Sequence, residues 1–245
     1  MRALVSGFCN SRSLCTAWVA AFAAALLAAC ATGGSNDIFS SPETRAPSRD
    51  EMWFVFLETG KRGPADREAA AAMQRGHIAN FQRLFGEGKL MAAGPLKDPT
   101  EFKRGIVVVK AASQQTLAGY FQPDQYVREG YLKLNAAPAL VNRPLATDGI
   151  DSSAVEEGRI VQLMRSDKAL SNGEAAAQRA MLQRLVDQGP FGAWYTLEAG
   201  PVAEVLFSRQ KDDKVLQAAL ANLPAVKSGA QVAVWTQWFA KGVLR

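Results

Sequence analysis

Hydrophobic and polar positions along this chain change period in a set order, and the order occurs twice. Trp53-Phe54-Val55-Phe56-Leu57-Glu58 is an apolar, β-prone run. From Asp66 to Glu87 the spacing turns helical, with Ala70, Met73, His77, Phe81 and Leu84 on one face, and Gly88 predicts the stop. Lys89 to Leu96 and Gly105 to Lys110 read as strands. Ser113 caps a second helix carrying Leu117, Tyr120 and Phe121, and Tyr131 to Val141 reads as a closing strand.

The second half answers element by element. Arg159 to Met164 matches the first strand, and Glu174 to Gln188 matches the first helix, where Gln183-Arg184-Leu185 repeats Gln82-Arg83-Leu84. Ala199-Gly200-Pro201-Val202 echoes Ala93-Gly94-Pro95-Leu96, and Val202 to Ser208 reads as a strand. Asp212 caps a helix with Leu216 in the place of Leu117, and Gln231 to Phe239 closes the pattern. A spacing of about 100 residues signals a duplicated domain rather than a solenoid. The polar stretch from Ala146 to Glu157 is the natural boundary.

Each half is thus β-α-β-β-α-β, the ferredoxin-like order, with helices on one sheet face. Trp235 and Trp238 in the last strand suggest that the other face is apolar as well. The expectation is an α+β fold of two tandem ferredoxin-like repeats, residues 51–145 and 156–245. They pack sheet to sheet as an intrachain pseudo-dimeric α+β barrel, and the protein is a monomer with a pseudo-two-fold axis.

The amino end has a different character. Arg2 and Arg12 precede an apolar run from Leu14 to Leu27, and no acid occurs before Asp37. This is the layout of a secretory signal, and the run falls short of the roughly 20 residues that span a bilayer comfortably. Leu27-Ala28-Ala29-Cys30 resembles the lipobox of bacterial lipoproteins. The resemblance implies cleavage after residue 29 and acylation of Cys30, the alternative being an uncleaved anchor helix. Residues 30–50, rich in Gly, Ser and Pro, read as a flexible tether. Ala31 after the cysteine resembles outer-membrane sorting, which implies a lipid-anchored envelope protein facing the periplasm.

Cleavage would leave the mature chain without thiols, since the other cysteines are Cys9 and Cys15. With His77 as the one histidine, a zinc site built on several His or Cys ligands is excluded. Loss of Arg2 and Arg12 lowers the formal charge from +5 to +3, spread without a run, which argues against nucleic-acid binding. No phosphate loop, zinc signature or nucleophile elbow occurs, so no cofactor is expected.

In the first half, Gly76-His77-Ile78-Ala79-Asn80-Phe81, Gly88 to Asp98 and Arg104-Gly105 resemble the YCII-related (YciI-like) family of the dimeric α+β barrel superfamily. Phe121 to Gly130 stands, in altered form, where that family has a D-P-Y…G segment. The resemblance covers roughly Trp53 to Leu140. It implies a His–Asp pair in a cleft, carried over here to His77 and Asp98, and proton-transfer chemistry of lyase or isomerase type. A carboxylate on one imidazole nitrogen would fix the tautomer and leave the other nitrogen to move a proton. The residues alone also fit a plainer reading. His77 shares its stripe with Met73, Phe81 and Leu84, as a hydrogen-bonded core histidine would, and Asp98 before Pro99 suits a turn. By these matches Gln178 stands at the place of His77 and Glu204 at that of Asp98, so the second half lacks the pair. Arg104 and Arg143 are further anion contacts to weigh against solvated surface. The function expected is a small-molecule enzyme, or else a non-catalytic ligand-binding or interaction module.

Overall fold

The structure, a computed structural model, describes residues 51–64 and 66–245. The signal, Cys30 and the tether lie outside the described residues. Strand β1 (Met52–Thr59) leads into helix α1 (Arg67–Gly86), strands β2 (Leu90–Lys97) and β3 (Lys103–Lys110), short helices α2 (Gln114–Tyr120) and α3 (Gln125–Arg128), and strand β4 (Leu132–Arg143). The second set is β5 (Asp151–Met164), α4 (Asn172–Asp187), β6 (Phe191–Leu197), β7 (Val202–Ser208), α5 (Asp213–Leu220), α6 (Pro224–Lys227) and β8 (Val232–Lys241). No described helix is long and apolar enough to cross a membrane.

Most of the described helices start at a side chain that caps them. Asp66, Ser113 and Asp212 accept backbone N–H bonds as N-caps, and Ser171 with Glu174 forms a capping box at α4. Gly88 adopts φ +66° just past α1, where a side chain would be strained, and Lys89 N–H returns to Leu84 C=O.

The eight described strands close into one antiparallel barrel in the order β1-β3-β2-β8-β5-β7-β6-β4. The first four lie as β4-β1-β3-β2 and the last four as β8-β5-β7-β6, which is one order used twice. Two seams join the runs. At one, β4 pairs with β6 from Ala139↔Leu197 to Arg143↔Trp194; at the other, β2 pairs with β8 through Leu96↔Gln237 and Lys97↔Thr236. The expected stacking of two sheets is therefore a single closed wall, in which each half covers the edges of the other. Closure removes strand edges that would otherwise recruit other chains.

Strand alternation sorts the side chains into three cores. Phe54, Phe56, Ile106, Val108, Ile160 and Phe207 fill the barrel. Trp53, Val55, Val107 and Val109 face outward to Phe81, Leu84 and Phe121. Val161, Leu163 and Leu206 meet Leu182, Val186 and Leu216 on the other side.

Three local expectations change. Trp235 packs against the barrel core, but Trp238, three residues on in a strand of period two, sits half-buried on the opposite face. The polar boundary is shorter than its composition suggests, because β5 begins at Asp151 and pairs with Lys241. The Ala-Gly-Pro echo is not structural either. Gly94 and Pro95 pair within β2, whereas Gly200, at φ +82°, turns the chain between β6 and β7.

Candidate functional site

His77 lies on the buried face of α1, only 1% exposed. Its Nδ1 is 2.5 Å from Oδ2 of Asp124, which is fully buried. Facing a carboxylate, Nδ1 carries the proton and donates it. The other oxygen of Asp124 accepts the N–H of Tyr126 at 3.0 Å and so caps α3. Rings seal the pair, with Phe81 centred 4.4 Å from the imidazole and Tyr126 edge-on at 5.6 Å. The Tyr126 hydroxyl donates to Ala70 C=O at 3.3 Å, and burial together with the Asp124 charge raises its pKa.

Asp98 is occupied elsewhere. One oxygen accepts both the N–H and the hydroxyl of Thr100 at 2.8 Å, and the other accepts the N–H of Lys103 at 2.8 Å. Burial pushes this carboxyl up, but those donors outweigh it and hold its pKa below the usual range. Asp98 therefore organises the β2–β3 turn, and the carboxylate on His77 is Asp124. Sequence reasoning placed Asp124 inside the altered D-P-Y segment without giving it a role. The available signal was an acid at the N-cap position, two residues before a helical tyrosine.

In the second half, Gln178 on α4 accepts the N–H of Ala225 at 2.9 Å, at the start of α6. His77 on α1 also holds the start of α3, but by donating to the side chain of its cap Asp124 rather than by accepting a backbone N–H. Glu204 lies within β7 and receives Trp194 Nε1 and the Thr196 hydroxyl, both at 2.7 Å; the residue that follows β6 as Asp98 follows β2 is Glu198. Arg104 is exposed, 3.9 Å from Glu101.

A cavity of about 500 Å³ opens at the end of the barrel beside the Pro144–Asp148 connector. Met52, Met91, Val141 and Leu145 give it apolar walls. Lys110, Arg143 and Arg245 also line it, with Asp148 as the lining carboxylate. Arg143 donates to Asp187 at 2.8 Å and to Val186 C=O at 3.2 Å, which fixes its guanidinium at the end of α4. The Tyr195 hydroxyl accepts the N–H of Leu145 at 2.9 Å, and burial pushes its pKa up to about 12. Sequence reasoning weighed Arg143 but missed the cavity, which forms only where the two halves and their connector meet.

Inside the barrel, Lys103 Nζ donates to Gln162 Oε1 at 2.7 Å and lies 4.0 Å from the centre of the Phe56 ring. Burial lowers its pKa, against the pull of Glu58 and Asp98. Among the described residues no group of three or more His, Cys, Asp or Glu side chains comes together to hold a metal.

Residues 52–134 match the family model of the YCII-related domain. Among solved structures, the chain is similar to a variant of the chlorite dismutase from Candidatus Nitrospira defluvii, at 12% identity over 77% of this chain and 92% of that one, with a TM-score of 0.51. A chlorite dismutase candidate is similar at 10% identity over 78% and 96%, with a TM-score of 0.52. A heme-binding protein from Thermus thermophilus covers 77% of this chain and 91% of its own at 12% identity, with a TM-score of 0.47. At such identities the likeness is one of fold, an α+β fold around an eight-stranded antiparallel barrel. No curated protein sequence matches the chain.

Proposed function

Taking residues 52–134 as a YCII-related domain, we propose that this protein is a lipid-anchored small-molecule binder of the bacterial cell envelope. Two tandem ferredoxin-like repeats, residues 51–145 and 156–245, form its pseudo-dimeric barrel, a reading supported by the strand order used twice. Because the barrel consumes its own strand edges, the protein acts as a monomer. Acylated Cys30 holds it at the outer membrane, on the periplasmic side.

The observation that carries the binding role is the cavity beside the connector. Its volume, about 500 Å³, lies within the roughly 300–1,000 Å³ of ligand pockets, and it combines apolar walls with a few fixed polar groups. Native mass spectrometry of the protein released from its membrane should show a bound small molecule. Ala146→Phe at the cavity wall should exclude it. A chain that carries no adduct, and that no small molecule stabilises against heat, would overturn the reading.

A second reading keeps His77 as proton carrier of a lyase or isomerase type of enzyme, and the carboxylate contact at 2.5 Å favours it. Asp124 then orients the imidazole, and Asp98 only shapes the neighbouring turn. Burial weighs against this reading, because a substrate would reach His77 only if α3 parted from α1. The Gln178–Ala225 contact, where a side chain at the matching place ties two helices together, supports a latch role as the plainer one. A histidine-ligated haem does not fit the same residues, since His77 is sealed and held by Asp124.

A further inference from the structure

We infer that the cavity beside the connector takes an amphipathic organic acid, its apolar body against Met52, Met91 and Val141 and its acid group toward Tyr195, Lys110 and Arg143. This rests on the proposed binding role of that cavity and deepens it. The lining holds three cations and one carboxylate, and with Asp187, the ion-pair partner of Arg143, the balance is one positive charge, so the field inside favours an anion. Asp148, the carboxylate, is already engaged by Arg245 at 3.4 Å. Arg143 cannot swing away, because Asp187 and the end of α4 fix it, and a cation held in place binds an anion at little cost in side-chain order. Tyr195 adds a directional donor. Its hydroxyl is spent as an acceptor on Leu145 N–H but keeps its own proton, and the side chain is only 2% exposed.

The route of the chain supports an amphipathic ligand rather than a small inorganic anion. Met52, which lines the cavity, is the first residue of β1, and residues 30–50 arrive at its neighbour Glu51. Coil statistics for a Gly- and Ser-containing stretch of that length would give a mean reach of about 25 Å. With Cys30 acylated, this end of the barrel would lie on average about that distance from the bilayer, where amphipathic acids partition.

Every described strand and the three described cores lie within residues 52–245, so the chain from Glu51 carries the closed barrel and suits a binding test. The probe is 8-anilinonaphthalene-1-sulfonate, itself an amphipathic acid, displaced by dodecanoate, dodecanol or dodecylammonium. Dodecanoate should displace it at least tenfold more strongly than the other two, and Tyr195→Phe combined with Lys110→Gln should erase most of that preference. Ala146→Phe should abolish binding of all three. Equal displacement by dodecanoate and dodecanol, both blocked by Ala146→Phe, would overturn the acid and leave the binding role intact. Binding that ignores Ala146→Phe, or no binding by any probe, would overturn both. Adding vesicles of neutral phosphatidylcholine loaded with dodecanoate to the full lipidated protein separates the two sources. Uptake faster than with the unanchored chain supports supply from the bilayer, and equal rates overturn that part of the inference.

Discussion

Glu204 takes the indole N–H of Trp194 at 2.7 Å on the covered outer face of the second half. Burial raises the pKa of this carboxyl, and the bonds from Trp194 and Thr196 and the charges of Arg179 and Arg165 offset only part of the rise. A carboxyl raised in the folded state binds its proton more tightly there than in the unfolded chain. Its contribution is full below the unfolded value and is lost as pH climbs through the folded value. Glu204→Gln keeps the shape and an acceptor for Trp194. Urea midpoints measured from pH 4 to pH 8 should therefore fall more for the parent chain than for this variant. Parallel profiles would show that the raised pKa does not govern stability.

Removing the imidazole from beside Asp124 leaves a fully buried carboxylate without that donor. His77→Ala should cost about 3 kcal/mol of stability and free the start of α3. Binding at the cavity, in a different core, should stay unchanged. Asp124→Asn preserves the cap on Tyr126 and should cost less. Thermal unfolding and probe displacement on the same samples check both statements. Lost binding with an undiminished melting temperature would favour the proton-transfer reading instead.

The seam between β2 and β8 depends on the absence of a side chain. A Cβ on Gly94 would sit 2.3 Å from Trp238 C=O and 2.6 Å from Gln237 Nε2, and backbone cannot yield as a side-chain tip can. Gly94→Ala should destabilise the chain by about 1–3 kcal/mol. Hydrogen exchange should quicken first at Leu96 and Lys97. A Gly76→Ala control, with nothing within 4 Å of the added carbon, should be neutral or stabilising.

Cys30→Ser should yield a chain with no acyl groups by mass spectrometry and should release it from the membrane fraction. Retention of that variant in the membrane would favour an uncleaved anchor helix.

Local chemistry carried most of the elements. The caps Asp66, Ser113 and Asp212 and the stop at Gly88 are decided by residues within one turn of each other, so they are legible without a fold. Contacts between distant segments were not. Asp124 lies 47 positions from His77, and no spacing rule ties them, so the nearer acid Asp98 took its role. The tripeptide Ala-Gly-Pro misled for a related reason, because pairing with β3 makes it strand at Gly94 while the same residues turn freely at Gly200. Trp238 was placed with Trp235 although a spacing of three reverses the face in a strand. The cavity belongs to two halves and a connector at once, so neither half predicts it.

The two seams are unequal, since β4 meets β6 over four paired positions and β2 meets β8 over two. Leu96 and Gln237 are also far apart in the chain, whereas β4 and β6 are separated by little more than β5 and α4. Loop-closure entropy grows with the length of chain enclosed, and contacts of long range slow folding. The shorter seam is thus the step expected to come last, after a nearly complete but open cylinder has formed. That gives the slowest folding phase an address. Gly94→Ala should slow refolding through its final phase, and a stopped-flow trace in which only the earliest phase responds would contradict this order.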